Sequence, residues 1–222
     1  MNELNHIAFI MDGNGRWGKK LGKGRNFGHL KGVETVKKIV RTSIRLNIPV
    51  ITFYVFSTEN WKRPKKEKTL LFKLIKNYFL NEIDILIKQG IRINILGEID
   101  KFSSEIKSTL RKSVYLTKKN KKIIVNLALN YGSKHEMIQA FKKMHKKFTI
   151  KEFQANLYTK NMPDPDILVR TGGYQRLSNF LLWQLAYTEL FFLKKLWPDF
   201  SSNDLIKIIK KFKRTQRNYG SL

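Results

Sequence analysis

A chain of 222 residues with 42% hydrophobic and 12% aromatic content is long enough to bury a sizeable core and too apolar to be disordered. It contains no cysteine, which excludes disulfide frameworks, thiolate zinc sites and cysteine nucleophiles. Its formal charge of +27 calls for a nucleic acid, an anionic membrane surface or a small polyanionic substrate, unless the lysines simply coat solvated helix faces.

The opening MNELNHIAFIMDGN lacks a basic stretch followed by an apolar one and does not read as a signal peptide. The first strand, His6–Met11, stops at Asp12. DGNGR (12–16) follows, with Gly13 and Gly15 able to turn the backbone and aim N–H groups at an anion, and Arg16 to fork onto phosphate oxygens. Alone, this stretch fits a plain turn equally well. Lys19, Lys20, Lys23 and Arg25 ahead of His29 shift the reading to phosphate binding. Asp12, a lone carboxylate among cations in a chain of 17 acids, suits Mg²⁺, which takes one or two carboxylates and completes its shell with phosphate oxygens and water. A turn aspartate bonding its own backbone is the ordinary alternative.

A helix over 29–46 leads to strand Val50–Ser57 and then FSTENWKRP, 56–64. Here hydroxyls, a carboxylate, an amide, an indole and an arginine crowd a strand end. Trp61 reads either as a stacking platform or as a core residue. The helix over 67–89, closed by Gly90, is apolar on more than one stripe. Core packing explains it by default, and the same face could wall a long hydrocarbon pocket.

Strands Arg92–Leu96, Ile123–Asn130 and Ile167–Arg170 alternate with helices over 104–119, 133–147 and 151–158, and a last helix spans 202–217. Ser133–Glu136 and Thr149–Glu152 fit the capping-box pattern. RTGGYQRLSNF (170–180) repeats the earlier logic: an arginine ending a strand, paired glycines, then Arg176 and Ser178 around a diphosphate-sized turn. Phe180–Leu193 is open between a buried helix and a sixth strand, and it is too short for the roughly 20 residues of a membrane span. Without repeat, linker or low-complexity block, residues 1–222 read as one cytoplasmic α/β domain with a mainly parallel sheet, whose ligands belong beyond the strands' carboxyl ends.

HIAFIMDGNGRW, GRNFGH, FSTENWKRP, NLALNYG, ILVRTGG, RLSNFLLWQLAYTELFF and LWPDF, in that order, resemble the cis-prenyltransferases, the isoprenyl transferases that include bacterial undecaprenyl diphosphate synthase. The resemblance implies six parallel strands ringed by helices, a hydrophobic tunnel and a homodimer. It implies Mg²⁺-dependent, repeated condensation of isopentenyl diphosphate onto an allylic diphosphate, commonly farnesyl diphosphate, without nucleic acid and with peripheral membrane contact for product release. It assigns catalysis and metal to Asp12, a second metal position to Glu189 and the proton-acceptor position to Asn60, although an amide is a poor base. Substrate contacts fall on Gly13, Asn14, Gly15, Arg16, Trp17, Arg25, His29, Ser57, Thr58, Glu59, Trp61, Arg63, Arg170, Arg176, Leu177 and Ser178. One departure stands out: Tyr174 and Gln175 follow the glycine pair where many members carry acidic and histidine residues. The tail QRNYG matches the family's basic tail only loosely, which leaves Arg217 without an assigned role.

Overall fold

A computed structural model describes residues 2–144 and 148–217. Six strands form one sheet in the order β3-β4-β2-β1-β5-β6, with every neighbouring pair parallel. They are β1 His6–Ile10, β2 Val50–Ser57, β3 Ile91–Leu96, β4 Ile123–Tyr131, β5 Ile167–Arg170 and β6 Glu189–Phe192. The helices are α1 Asn14–Lys20, α2 Gly24–Arg45, α3 Lys65–Lys88, α4 Ser104–Thr117, α5 Ser133–Lys142, α6 Ile150–Ala155 and α7 Ser202–Arg214. Two short 3-10 turns, Thr58–Lys62 and Trp197–Asp199, complete the order.

Alternation along β1 explains the layering. Ile7 and Phe9 face one core with residues of α2, α3, α4 and α7, whereas Ala8 and Ile10 face a second core with Phe180, Leu181 and Leu185. With both faces covered, every residue of β1 is buried. Among the described residues no helix is long and apolar enough to cross a membrane.

Three expectations are corrected. The stretch after Asp12 is not a loop leading to a helix near residue 29, because α1 starts at Asn14 and α2 at Gly24. Gly13 caps α1 at φ +110°, a conformation that side chains disfavour. α1 then crosses α2 so tightly that a Cβ on Gly28 would lie 1.8 Å from the Asn14 carbonyl oxygen. Second, Phe180–Leu193 is neither a helix nor one strand. Its first half is a series of turns covering the second core, and only Glu189–Phe192 is extended. Third, Ser133 and Glu136 do not form a capping box. Ser133 Oγ accepts instead from the Leu182 amide (2.9 Å), and Glu136 is buried under Tyr131, Tyr158 and Gln184. Thr149 does cap α6, accepting from the Glu152 amide at 3.1 Å. The expected end of the 133–147 helix and the tail beyond Arg217 lie outside the described residues.

Candidate active site

Asp12 is held from behind by its own carbonyl, which accepts from Thr171 Oγ1 (2.8 Å) and the Trp197 amide (3.0 Å). Its carboxylate accepts from Arg16 through Oδ1 (3.1 Å) and from Arg170 through Oδ2 (3.0 Å). The Arg170 side chain is only 4% exposed, and its other terminal nitrogen donates to Ser178 Oγ (2.7 Å) and to the Arg176 carbonyl. Its Nε has no partner among the described residues, an orphaned donor at the end of β5.

A second cluster stands opposite. Glu67, in the first turn of α3, accepts from Arg25 Nη2 (3.0 Å) and Nε (3.2 Å) and from Arg63 Nη1 (3.2 Å). His29 Nε2 lies 3.5 Å from the same carboxylate without hydrogen-bonding alignment. Burial alone would push Glu67 up, but the Arg25 hydrogen bond and charge, with Arg63 behind them, hold it below the usual carboxylate range. Burial holds His29 below the ordinary histidine value against the pull of Glu67, so the ring is neutral near pH 7. Nothing in the sequence singled out Glu67 among the surrounding lysines. The Arg63–Glu67 spacing of one helical turn was the signal available.

Both clusters open into one cavity of about 740 Å³. Its mouth is lined by Asp12, Gly13, Asn14, Gly15, Arg16, Arg25, His29, Ser57, Glu59, Asn60, Arg63, Arg170, Arg176 and Ser178. Its throat is lined by Val33 and Val36 of α2, Val55 of β2, and Leu71, Leu74, Ile75, Tyr78 and Phe79 of α3. A register shift after Tyr54 brings the end of β2 to this space. The wide apolar face of α3 therefore serves both as core and as cavity wall.

Other expected site residues lie elsewhere. Trp61 donates to Asn130 Oδ1 (2.7 Å) and packs against Phe56, Phe72 and Phe102, so it is a core residue and not a stacking platform. Trp17 donates to Asp199 (2.7 Å) and stacks on Phe27, Leu177 packs on the second core, and Thr58 is absent from the cavity wall. Asn60 lines the mouth, but its side-chain oxygen accepts from the Ser57 amide (3.2 Å) in a reciprocal cap. That leaves its NH₂ as a donor, and it cannot take a proton.

Glu189 is not brought to Asp12. It pairs with Ile167 at the amino end of β5, whereas Arg170 pairs with Ile10 just before Asp12, about 10 Å further along the strands. Arg217 also lies at that amino end, bonding Asp166 (3.1 Å) and the Tyr187 carbonyl (2.8 Å). Among the described residues no cluster of three or more histidine or carboxylate side chains could hold a metal by itself. Asp12 alone still fits Mg²⁺, because its carboxylate faces the mouth and the ion takes most of its ligands from phosphate and water.

Comparison with known proteins agrees with this geometry. A family model described as putative undecaprenyl diphosphate synthase matches residues 10–220. An isoprenyl transferase of Clostridium perfringens is 43% identical, covering 98% of this chain and 90% of that protein. One from Wolinella succinogenes is also 43% identical, over 100% and 99%. Among solved structures, a probable undecaprenyl diphosphate synthase from Campylobacter jejuni superimposes with a TM-score of 0.84 at 32% identity, covering 100% of both chains. Lavandulyl diphosphate synthase from Lavandula x intermedia, in complex with dimethylallyl diphosphate, gives 0.94 at 29% identity over 98% of both.

Proposed function

The chain belongs to the undecaprenyl diphosphate synthase family of isoprenyl transferases, and from that premise we propose that it adds isopentenyl diphosphate repeatedly, with cis geometry, to an allylic diphosphate such as farnesyl diphosphate. The observation that carries this reading is the two-part cavity: cations at the strand ends for a diphosphate, and an apolar throat continuous with them for a hydrocarbon.

In the proposed reaction the isopentenyl double bond attacks C1 of the allylic substrate as the bond from C1 to the diphosphate oxygen breaks. A proton then leaves the new chain. Arg16, Arg25 and the first-turn amides of α1 stand where they can take up the charge developing on the leaving group. Mg²⁺, if held by Asp12, would supply further neutralisation of that group. Asn60 donates a hydrogen bond to a substrate oxygen, and the proton goes to a phosphate oxygen or a bound water. Arg170, Arg176 and Ser178 hold the isopentenyl diphosphate. The product is an undecaprenyl-type diphosphate, whose chain fills the throat as it grows.

We also propose a homodimer. Phe180, Leu181, Gln184 and Leu185 are already buried in their own chain, so the interface falls to the edge strand β6 with exposed Tyr187 and Leu190. A basic cleft at the sheet's amino end, lined by Lys37, Lys38, Arg41, Arg45, Lys88 and Lys122, supports peripheral contact with an anionic membrane during release. The test of function is incubation with farnesyl and isopentenyl diphosphates plus Mg²⁺, followed by mass analysis of the lipid. A ladder in five-carbon steps is expected. Unconsumed isopentenyl diphosphate would refute the reading.

A further inference from the structure

Five guanidinium groups line the mouth; three of them, Arg16, Arg170 and Arg176, lie together beside Asp12, whose carboxylate satisfies only two of these three. Asp12 pairs with Arg16 and Arg170, while no carboxylate pairs with Arg176 among the described residues. Like charges so close should drive the exposed Arg176 side chain out toward water. It stays instead with its Cζ 4.2 Å from the centroid of the Tyr174 ring. Arg16 lies 4.9 Å and Arg170 5.8 Å from that same centroid. The ring is half-exposed, at 43%, so burial does not explain its place.

We infer that Tyr174 is a positioning residue that gathers three of the mouth's five arginines, Arg16, Arg170 and Arg176, on the electron-rich surface of one ring. The chemistry of the ring is what suits it to the task. A carboxylate at this position would hold the same arginines by neutralising them, and an arriving diphosphate would have to displace it. An aromatic ring attracts a cation through its quadrupole, carries no charge and leaves the guanidinium N–H groups free. Arg176 is thereby kept in place with its charge available. Arg170 and Arg176 hold the isopentenyl diphosphate, which keeps its diphosphate through the reaction, so the ring's help to them acts equally on the ground and transition states, while Arg16 keeps its Asp12 contact without the ring. It should therefore appear in KM and not in kcat.

This inference rests on the proposed function, and the experiment separates the two. Tyr174→Phe, Tyr174→Leu and the parent protein are compared in steady-state kinetics with isopentenyl diphosphate varied, and in calorimetric titration with inorganic diphosphate. Tyr174→Leu is expected to raise KM and weaken diphosphate binding about 5- to 20-fold with kcat within about 3-fold, the range of exposed to partly desolvated cation–π contacts. Tyr174→Phe, which keeps the ring, should match the parent in both assays. Parent-like behaviour of the leucine variant would overturn the inference, as would a phenylalanine variant as weak as the leucine one. A parent protein that neither binds diphosphate nor turns over would refute the proposed function instead.

Discussion

The two ends of the parallel sheet handle polar groups in opposite ways. Toward its amino end and centre, His6 donates from Nδ1 to the Pro163 carbonyl (2.8 Å) and accepts at Nε2 from Thr52 Oγ1 (2.7 Å), which itself accepts from Asn126 (2.9 Å). Asn126 in turn accepts from Asn94 (3.0 Å), so the chain of contacts crosses β1, β2, β4 and β3. Thr52, Asn126 and Asn94 stand in register, so the row follows from strand pairing. At the carboxyl end, Arg170 Nε is a buried donor without a partner, and Arg176 has no counter-charge among the described residues. The network in the sheet completes itself. The strand ends are arranged to be completed by an anionic ligand, which is how a site differs from a satisfied core.

The largest effect on this contrast should come from Asp12→Ala. Arg16, Arg25 and the first-turn amides of α1 remain, so affinity for the allylic diphosphate should stay within a few-fold. Turnover should fall by roughly 3 orders of magnitude, or about 4 kcal/mol of barrier. Turnover within a few-fold of the parent would mean that the carboxylate is only a structural counter-ion.

The self-completed end should respond to acid. Burial holds His6 down at about 4, against an ordinary value of 6.5. As pH falls, the unfolded chain binds the proton first, so stability is full above 6.5 and is lost progressively toward 4. Two and a half units correspond to about 3 kcal/mol, and His29 adds a loss of the same sign. Denaturant unfolding at pH 7 and pH 4.5 checks this, and equal stabilities would contradict a neutral buried His6.

Glu67→Gln probes the hub between the two regimes. It frees Arg25 and Arg63, both partly solvated, so the stability cost should be only about 1–2 kcal/mol. The KM for the allylic diphosphate should rise about 10-fold as the arginines lose their common anchor. An unchanged KM would reduce Glu67 to a stabilising residue.

These regions were not equally legible in the sequence. Five of the six strands were read to within a residue or so, because a parallel sheet covered on both faces leaves short continuous apolar runs, whereas β6 stayed open within Phe180–Leu193. Asp12, Arg16, Arg63 and Arg170 were legible because charges at the ends of such runs have few other uses. α1 was missed because its glycines argue against a helix, and only the close crossing with α2 explains why they are there. Trp61 and Glu189 stand outside the cavity wall of this chain for a related reason. A motif fixes residue identity, whereas side-chain direction and strand register come from packing. Only the strand register brings Asn94 and Asn126 together.

The central claim is that the orphaned Arg170 donor and the unpaired Arg176 beyond the strand ends are completed by a diphosphate. Thermal unfolding with inorganic diphosphate tests it most directly. At about 100 times its dissociation constant, a ligand of the native state alone adds about 2.7 kcal/mol. For a chain of this size that is a rise of roughly 5–10 °C. The account predicts that rise in the parent and in Thr52→Val, whose change lies in the self-completed network, and its loss in the double variant Arg170→Met, Arg176→Met. No rise in the parent, or the same rise in the double variant, would contradict it.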